Sequence, residues 1–172
     1  MADTQYLDDL IDAIKFVYER SDGYFKTTEG RERSMVFRIA HRLANQIEGE
    51  GLFVDIEPTR CNGIKKTCQH EDDNKEHQIY PDLIIHQRNT KGYLVVEFKC
   101  STDRWEHDEH KLECLTTPRL QRENSSISTP FYRYGAFVYL TNRFENIEIH
   151  IFKDGCKNTK LTNIYQEKFK EK

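Results

Sequence analysis

The stretch YPDLIIHQRNTKGYLVVEFKC, residues 80–100, decides how the chain is read. Two apolar runs, 80–87 and 93–100, flank RNTKG, whose Asn and Gly suit a hairpin turn. Both runs read as buried strands, yet the first carries Asp82 directly after Pro81 and the second ends on Glu97 and Lys99. A charge turned into a core is expensive unless it is paired or ligates a metal. Side chains alternate across a strand, so Tyr93, Val95, Glu97 and Lys99 share one face, and Leu94, Val96, Phe98 and Cys100 the other. Hairpin pairing then sets Asp82 across from the end of the second strand. Two carboxylates and an ammonium converge, and hard oxygen donors of this kind suit Mg²⁺ or Mn²⁺. The plainer alternative is a surface Glu97–Lys99 ion pair, with Asp82 merely opening a strand.

Upstream, residues 3–20 carry apolar side chains at helical spacing, and SDG, 21–23, ends that helix. A second helix is predicted from Thr28, as N-cap, to about residue 48, with the apolar stripe Val36, Ile39, Ala40, Leu43 and Ile47. One turn before Val36 on that stripe stands Glu32. It either reaches the acidic spot at the sheet or simply stabilises the helix dipole from the first turn. Residues 52–60 read as a strand and 61–77, with the acidic EDDNKE, as a loop.

Downstream, 103–117 reads as a third helix, on which Asp108, Lys111, Leu112 and Leu115 lie on one face. Lys111 is either a solvated stem or one more group in the same pocket. A Ser-rich loop spans 119–130, YGAFVYL (134–140) reads as a central strand and NIEIHIFKD (146–154) as a last one nearer the edge. The lysine-rich tail, 157–172, is expected to be peripheral, as is the helix at 3–20. The order is α-α-β-β-β-α-β-β: an α/β fold with a mixed sheet of about five strands and helices on its faces.

At 172 residues the chain suffices for one domain, 1–172, with its core at about 29–153. The net charge of −3 argues against passive, charge-driven DNA binding but permits a local acidic site. No run is long and apolar enough for a membrane span, and MADTQYLDDL lacks an export signal, so no membrane partner and a cytoplasmic location are expected. Five scattered cysteines, an odd number, fit reduced thiols better than a disulfide framework. Zinc is not expected, because Cys61, Cys68 and His70 lack a close cysteine pair, and His107 and His110 lack the spacing of zinc proteases.

Pro81-Asp82, then Glu97-Phe98-Lys99 on the next strand, after a helix bearing Glu32 and before another helix, resembles the PD-(D/E)xK nuclease superfamily. The resemblance covers 29–140. Within it GRERSMVFRIAHRL, VDIEPTR, YPDLIIHQR, LVVEFK and DEHKLECLT look like blocks of small uncharacterised bacterial members. It implies a restriction-endonuclease-like fold and a Mg²⁺- or Mn²⁺-dependent nuclease acting on nucleic acid, most of all DNA, with a homodimer compatible. It implies that Asp82, Glu97 and the backbone carbonyl of Phe98 ligate the metal. Lys99 would orient or deprotonate the attacking water, and Glu32 would hold a metal-bound water or a second ion. Arg119, Arg122 and Arg133, from a polar loop and its border, are candidate phosphate contacts beside Lys111. The rival expectation is a catalytically inactive module of the same fold that binds nucleic acid or a protein partner.

Overall fold

The computed structural model describes residues 4–20, 32–47, 49, 51–58, 60–61, 64–65, 67–69, 76–87, 91–101, 105–118 and 131–170. Helices α1 (Gln5–Glu19) and α2 (Glu32–Ile47) come first, then β1 (Leu52–Ile56). Four short strands follow, β2 (Arg60–Cys61), β3 (Ile64–Lys65), β4 (Thr67–Gln69) and β5 (Glu76–Gln78). The central hairpin is β6 (Leu83–Gln87) and β7 (Lys91–Lys99), and α3 (Trp105–Thr116) crosses over to β8 (Tyr132–Tyr139). β9 (Glu148–Lys153), β10 (Cys156–Lys157) and α4 (Thr159–Lys168) complete the chain.

One six-stranded mixed sheet runs β1-β6-β7-β8-β9-β10, with β7 and β8 parallel and the other neighbours antiparallel. The α/β class and the mixed sheet are as expected, and the sheet has one strand more. The parallel β7–β8 pair requires a crossover, and α3 supplies it. The β9–β10 turn is Asp154-Gly155, both at positive φ (54° and 80°), the backbone a type I′ hairpin demands and the pairing Asp-Gly favours.

Alternation on the strands sorts side chains onto two faces. Leu83, Ile85, Leu94, Val96, Phe98, Ala136 and Val138 pack on α1, α2 and α4. Ile84, Val95, Phe137 and Phe152 pack on α3 through Leu112 and Leu115.

Three expectations need correction. The helix at the N-terminus is not peripheral: α1 buries Leu7, Leu10, Ile11, Ala13, Ile14 and Val17 in the larger core. The tail is not peripheral either. α4 seats Tyr165 and Phe169, 2% and 1% exposed, in that same core. It also covers the open edge of β9, where Gln166 accepts from the Ile149 amide and donates to the Ile147 carbonyl, and Thr162 accepts from the Ile151 amide. An edge strand left bare would template pairing with other chains. Finally, the 61–77 stretch is not all loop, since β2 pairs with β3 and β4 with β5 in two small antiparallel ribbons. The expected loop at 119–130 lies outside the described residues.

Candidate active site

β6 and β7 pair antiparallel with Leu83 opposite Val96 and Ile84 opposite Val95, so the next step sets Asp82 beside the Glu97–Phe98 peptide. There Asp82 Oδ2 accepts a 2.7 Å hydrogen bond from the Phe98 amide. Glu97 is 2% exposed and lies on the face that meets α3. Its Oε2 takes a 3.2 Å contact from Lys111 Nζ, and its Oε1 is buried with no hydrogen-bond partner. Lys99, two residues on, forms an ion pair with Asp108, its Nζ 2.9 Å from Oδ2, and Lys111 forms another, its Nζ 2.6 Å from Oδ1. From the other side α2 begins on Glu32, whose Oε2 accepts from the Cys100 amide at 2.9 Å. Glu32 and Asp82 share the lining of a groove with Val36, Phe37, Ile56 and Glu57.

The electrostatics follow from burial. Desolvation, with a smaller push from Glu32, raises Asp82 to about 6 despite the Phe98 hydrogen bond that favours its charged form. Burial and the neighbouring Asp82 drive Glu97 well above the ordinary carboxylate range, against the pull of Lys111. Desolvation lowers Lys99 and Lys111, yet both end above the ordinary ammonium value, because Asp108 holds Lys99, and Glu97 and Asp108 hold Lys111, in the charged form. Beside them the Cys100 thiol is pushed up to about 12, by burial first and then by Glu32 and Asp82.

Four carboxylates thus face two ammoniums. If all six groups are ionised, two negative charges remain over, the charge of one divalent cation. The Arg33–Glu57 pair at the rim, 3.6 Å apart and exposed, neutralises itself and leaves that balance unchanged. The donor set is hard oxygen, suited to Mg²⁺ or Mn²⁺, and an orphaned buried carboxylate oxygen on Glu97 is the vacancy in hydrogen bonding that a metal ligand shows. Asp82, Glu97 and Glu32 therefore fit such an ion.

The structure thus brings Glu32, Asp82, Glu97, Lys99 and Lys111 to one place. Arg133 it does not. The β7–β8 register sets Arg133 level with Tyr93, four residues before Glu97, or about 13 Å away along the strand. Arg119 and Arg122 lie outside the described residues. Sequence reasoning missed Asp108 as a member of the site, although its spacing three before Lys111 on the Leu112–Leu115 face is the signal that finds it. It is 2% exposed and ties both lysines together.

A second cluster was also missed. Cys68 on β4 and Cys114 on α3 are joined as a disulfide with their Cα atoms 5.9 Å apart, so these two of the five cysteines are not the reduced thiols expected. Packing of β4 against α3 brings them together, and the ring of His110 stands with them. Cys100 and Cys156 are free.

No protein-family model matches the chain, nor does any curated protein or solved structure. Among the described residues no helix is long and apolar enough to cross a membrane.

Proposed function

We propose that the chain is a metal-dependent nuclease of PD-(D/E)xK type with a restriction-endonuclease-like core. On this reading it hydrolyses phosphodiester bonds of nucleic acid, DNA before RNA. The observation that carries the reading is the unpartnered Oε1 of Glu97, buried beside Asp82 at the end of the central hairpin. Like charges so placed repel, and without a cation the pair holds protons instead of doing chemistry.

Asp82 and Glu97 would hold the ion, with the Phe98 carbonyl as a third donor and Glu32 holding a water of its shell or a second ion. When bound, a divalent cation polarises a phosphate oxygen and makes water more acidic. The chain's own groups do the rest. Lys99 stays charged because Asp108 grips it, so it orients the attacking water and offsets phosphate charge rather than removing a proton. Lys111 balances the charge of Glu97, and with an ion held there its ammonium would be free to offset phosphate charge. The amide of Phe98 fixes the Asp82 carboxylate, which keeps one donor in place as the other ligands adjust.

One observation favours the rival reading, a non-catalytic module that binds nucleic acid or a protein partner. Lys99 and Lys111 are both already engaged in ion pairs, an arrangement that suits a purely structural network. The two readings part on one experiment. With Mg²⁺ or Mn²⁺, purified protein should cleave single-stranded, duplex or branched DNA, chelator should stop it, and Asp82→Ala or Lys99→Ala should reduce the rate about 10²–10⁴-fold without unfolding the chain. Calorimetric uptake of Mn²⁺ that Asp82→Ala leaves unchanged would remove the assignment of the site.

A further inference from the structure

We propose that an external thiol, supplying two electrons and two protons, opens the Cys68–Cys114 disulfide, and that the two thiols then give up their protons and with His110 hold a thiophilic divalent cation of the zinc class at a site separate from the carboxylates. Each of the three offers one donor atom, and these atoms all lie within 4.8 Å of one another. Donors around a tetrahedral zinc, at bonds of about 2.0–2.3 Å, stand roughly 3.3–3.8 Å apart, a spacing the two sulfurs can adopt once the disulfide between them is opened.

The sequence builds the site from two elements. His110 and Cys114 are four residues apart on α3 and therefore share a face. Cys68, 5% exposed, comes to that face on β4. The imidazole is the telling member. Its Nε2 lies 3.7 Å from the Cys114 sulfur, while its Nδ1 lies 3.7 Å from a Glu113 carboxylate oxygen. One ring nitrogen is thus aimed at the ligand cluster, and the Glu113 carboxylate stands on the side of the other, near enough to pair with it after a small side-chain shift. A disulfide alone makes no use of an imidazole. The β4–β5 ribbon has three residues in each strand, too few to be stable unaided, and needs fastening to α3. A cation shared by Cys68 and α3 fastens it just as the disulfide does. Water takes the fourth position.

Donor chemistry keeps the two sites apart. Thiolate and imidazole select zinc, and carboxylate oxygens select magnesium or manganese. The zinc-class site therefore does not depend on the nuclease reading.

The test is Co²⁺ titration and zinc analysis of the full chain, purified under reductant with thiols counted. The expected result is one equivalent per chain with a thiolate-to-cobalt charge-transfer band. Cys68→Ser and Cys114→Ser should abolish the band, and His110→Ala or Glu113→Gln should weaken binding about 10–100-fold. The latter two keep both cysteines, so they report binding even if a serine variant unfolds. Asp82→Ala should retain the full band. No uptake by the reduced wild-type chain overturns the proposal, as does a disulfide that survives the reductant or unchanged binding in the Cys68→Ser, Cys114→Ser double variant.

Discussion

The two faces of the sheet are built to different rules. The face under α1, α2 and α4 is closed by aliphatic and aromatic side chains, and among the described residues no charged one is buried in it. The face under α3 buries Glu97, Asp108 and Thr116 amid a smaller apolar cluster. Both faces share the same strands, so backbone cannot explain the contrast. The first face holds the sheet together, and the second tolerates expensive charge at the end of β7, where Lys99 and Lys111 balance only part of it. Among the described residues the buried carboxylates gather at one end of one face, the kind of costly arrangement that marks a candidate site.

Adjacent residues of β7 test that contrast most strongly. Phe98, 1% exposed, belongs to the holding face, so Phe98→Ala should destabilise by about 3–5 kcal/mol in chemical denaturation. Glu97→Gln, one residue away, keeps the shape and removes a buried charge. It should leave the denaturation midpoint unchanged or raise it, while divalent uptake and cleavage disappear. Equal destabilisation by both variants would mean that Glu97 is a structural ion-pair partner and no more.

The next largest effect is in pH. Folding raises Asp82 from 3.8 to about 6, so between those values the folded state binds more protons than the unfolded one. Stability in chelator should therefore fall as pH rises from about 4 to about 6, the reverse of an ordinary salt-bridged carboxylate. Glu97, also raised by burial and by Asp82, contributes in the same direction. Asp82→Asn should flatten the lower part of the curve. Because a bound ion requires both groups ionised, Mn²⁺ affinity should climb steeply over the same range and cancel the loss. A denaturation midpoint that rises from pH 4 to 6 in chelator would show that the acidic end is already neutralised within the protein.

How much of this was legible follows from the range of each interaction. Asp82, Glu97 and Lys99 were readable because a period of two on paired strands fixes which side chains meet, and a short turn fixes the register. Glu32 was readable one turn back along the α2 stripe. Asp108 was half-hidden, since an acidic residue in a first helical turn has a local explanation in the dipole that masks its contact with Lys99. The Cys68–His110–Cys114 cluster was not legible at all. It joins β4 to α3 across 46 residues, and no spacing rule reaches over that separation. α4 escaped because its buried stripe is only Tyr165 and Phe169, set among lysines whose composition suggests solvent.

The smallest effect separates strain from charge at the rim of the acidic groove. Glu57 holds φ at 46°, in the left-handed region where a side chain is disfavoured by roughly 1–2 kcal/mol. Its amide donates to the Asp82 carbonyl at 3.0 Å, which fixes the loop before β6 and gives that strain a positional purpose. Its carboxylate pairs with exposed Arg33, worth at most about 1 kcal/mol. Glu57→Ala removes the pair and keeps the strain, whereas Glu57→Gly removes both. The glycine variant should therefore be the more stable of the two by about 0.5–1 kcal/mol, the part of the strain that glycine's greater unfolded-state freedom does not offset. Both variants keep the backbone bond to Asp82 and should cleave at similar rates. A glycine variant less stable than the alanine one would place the strain elsewhere and make the left-handed turn at residue 57 incidental to the groove.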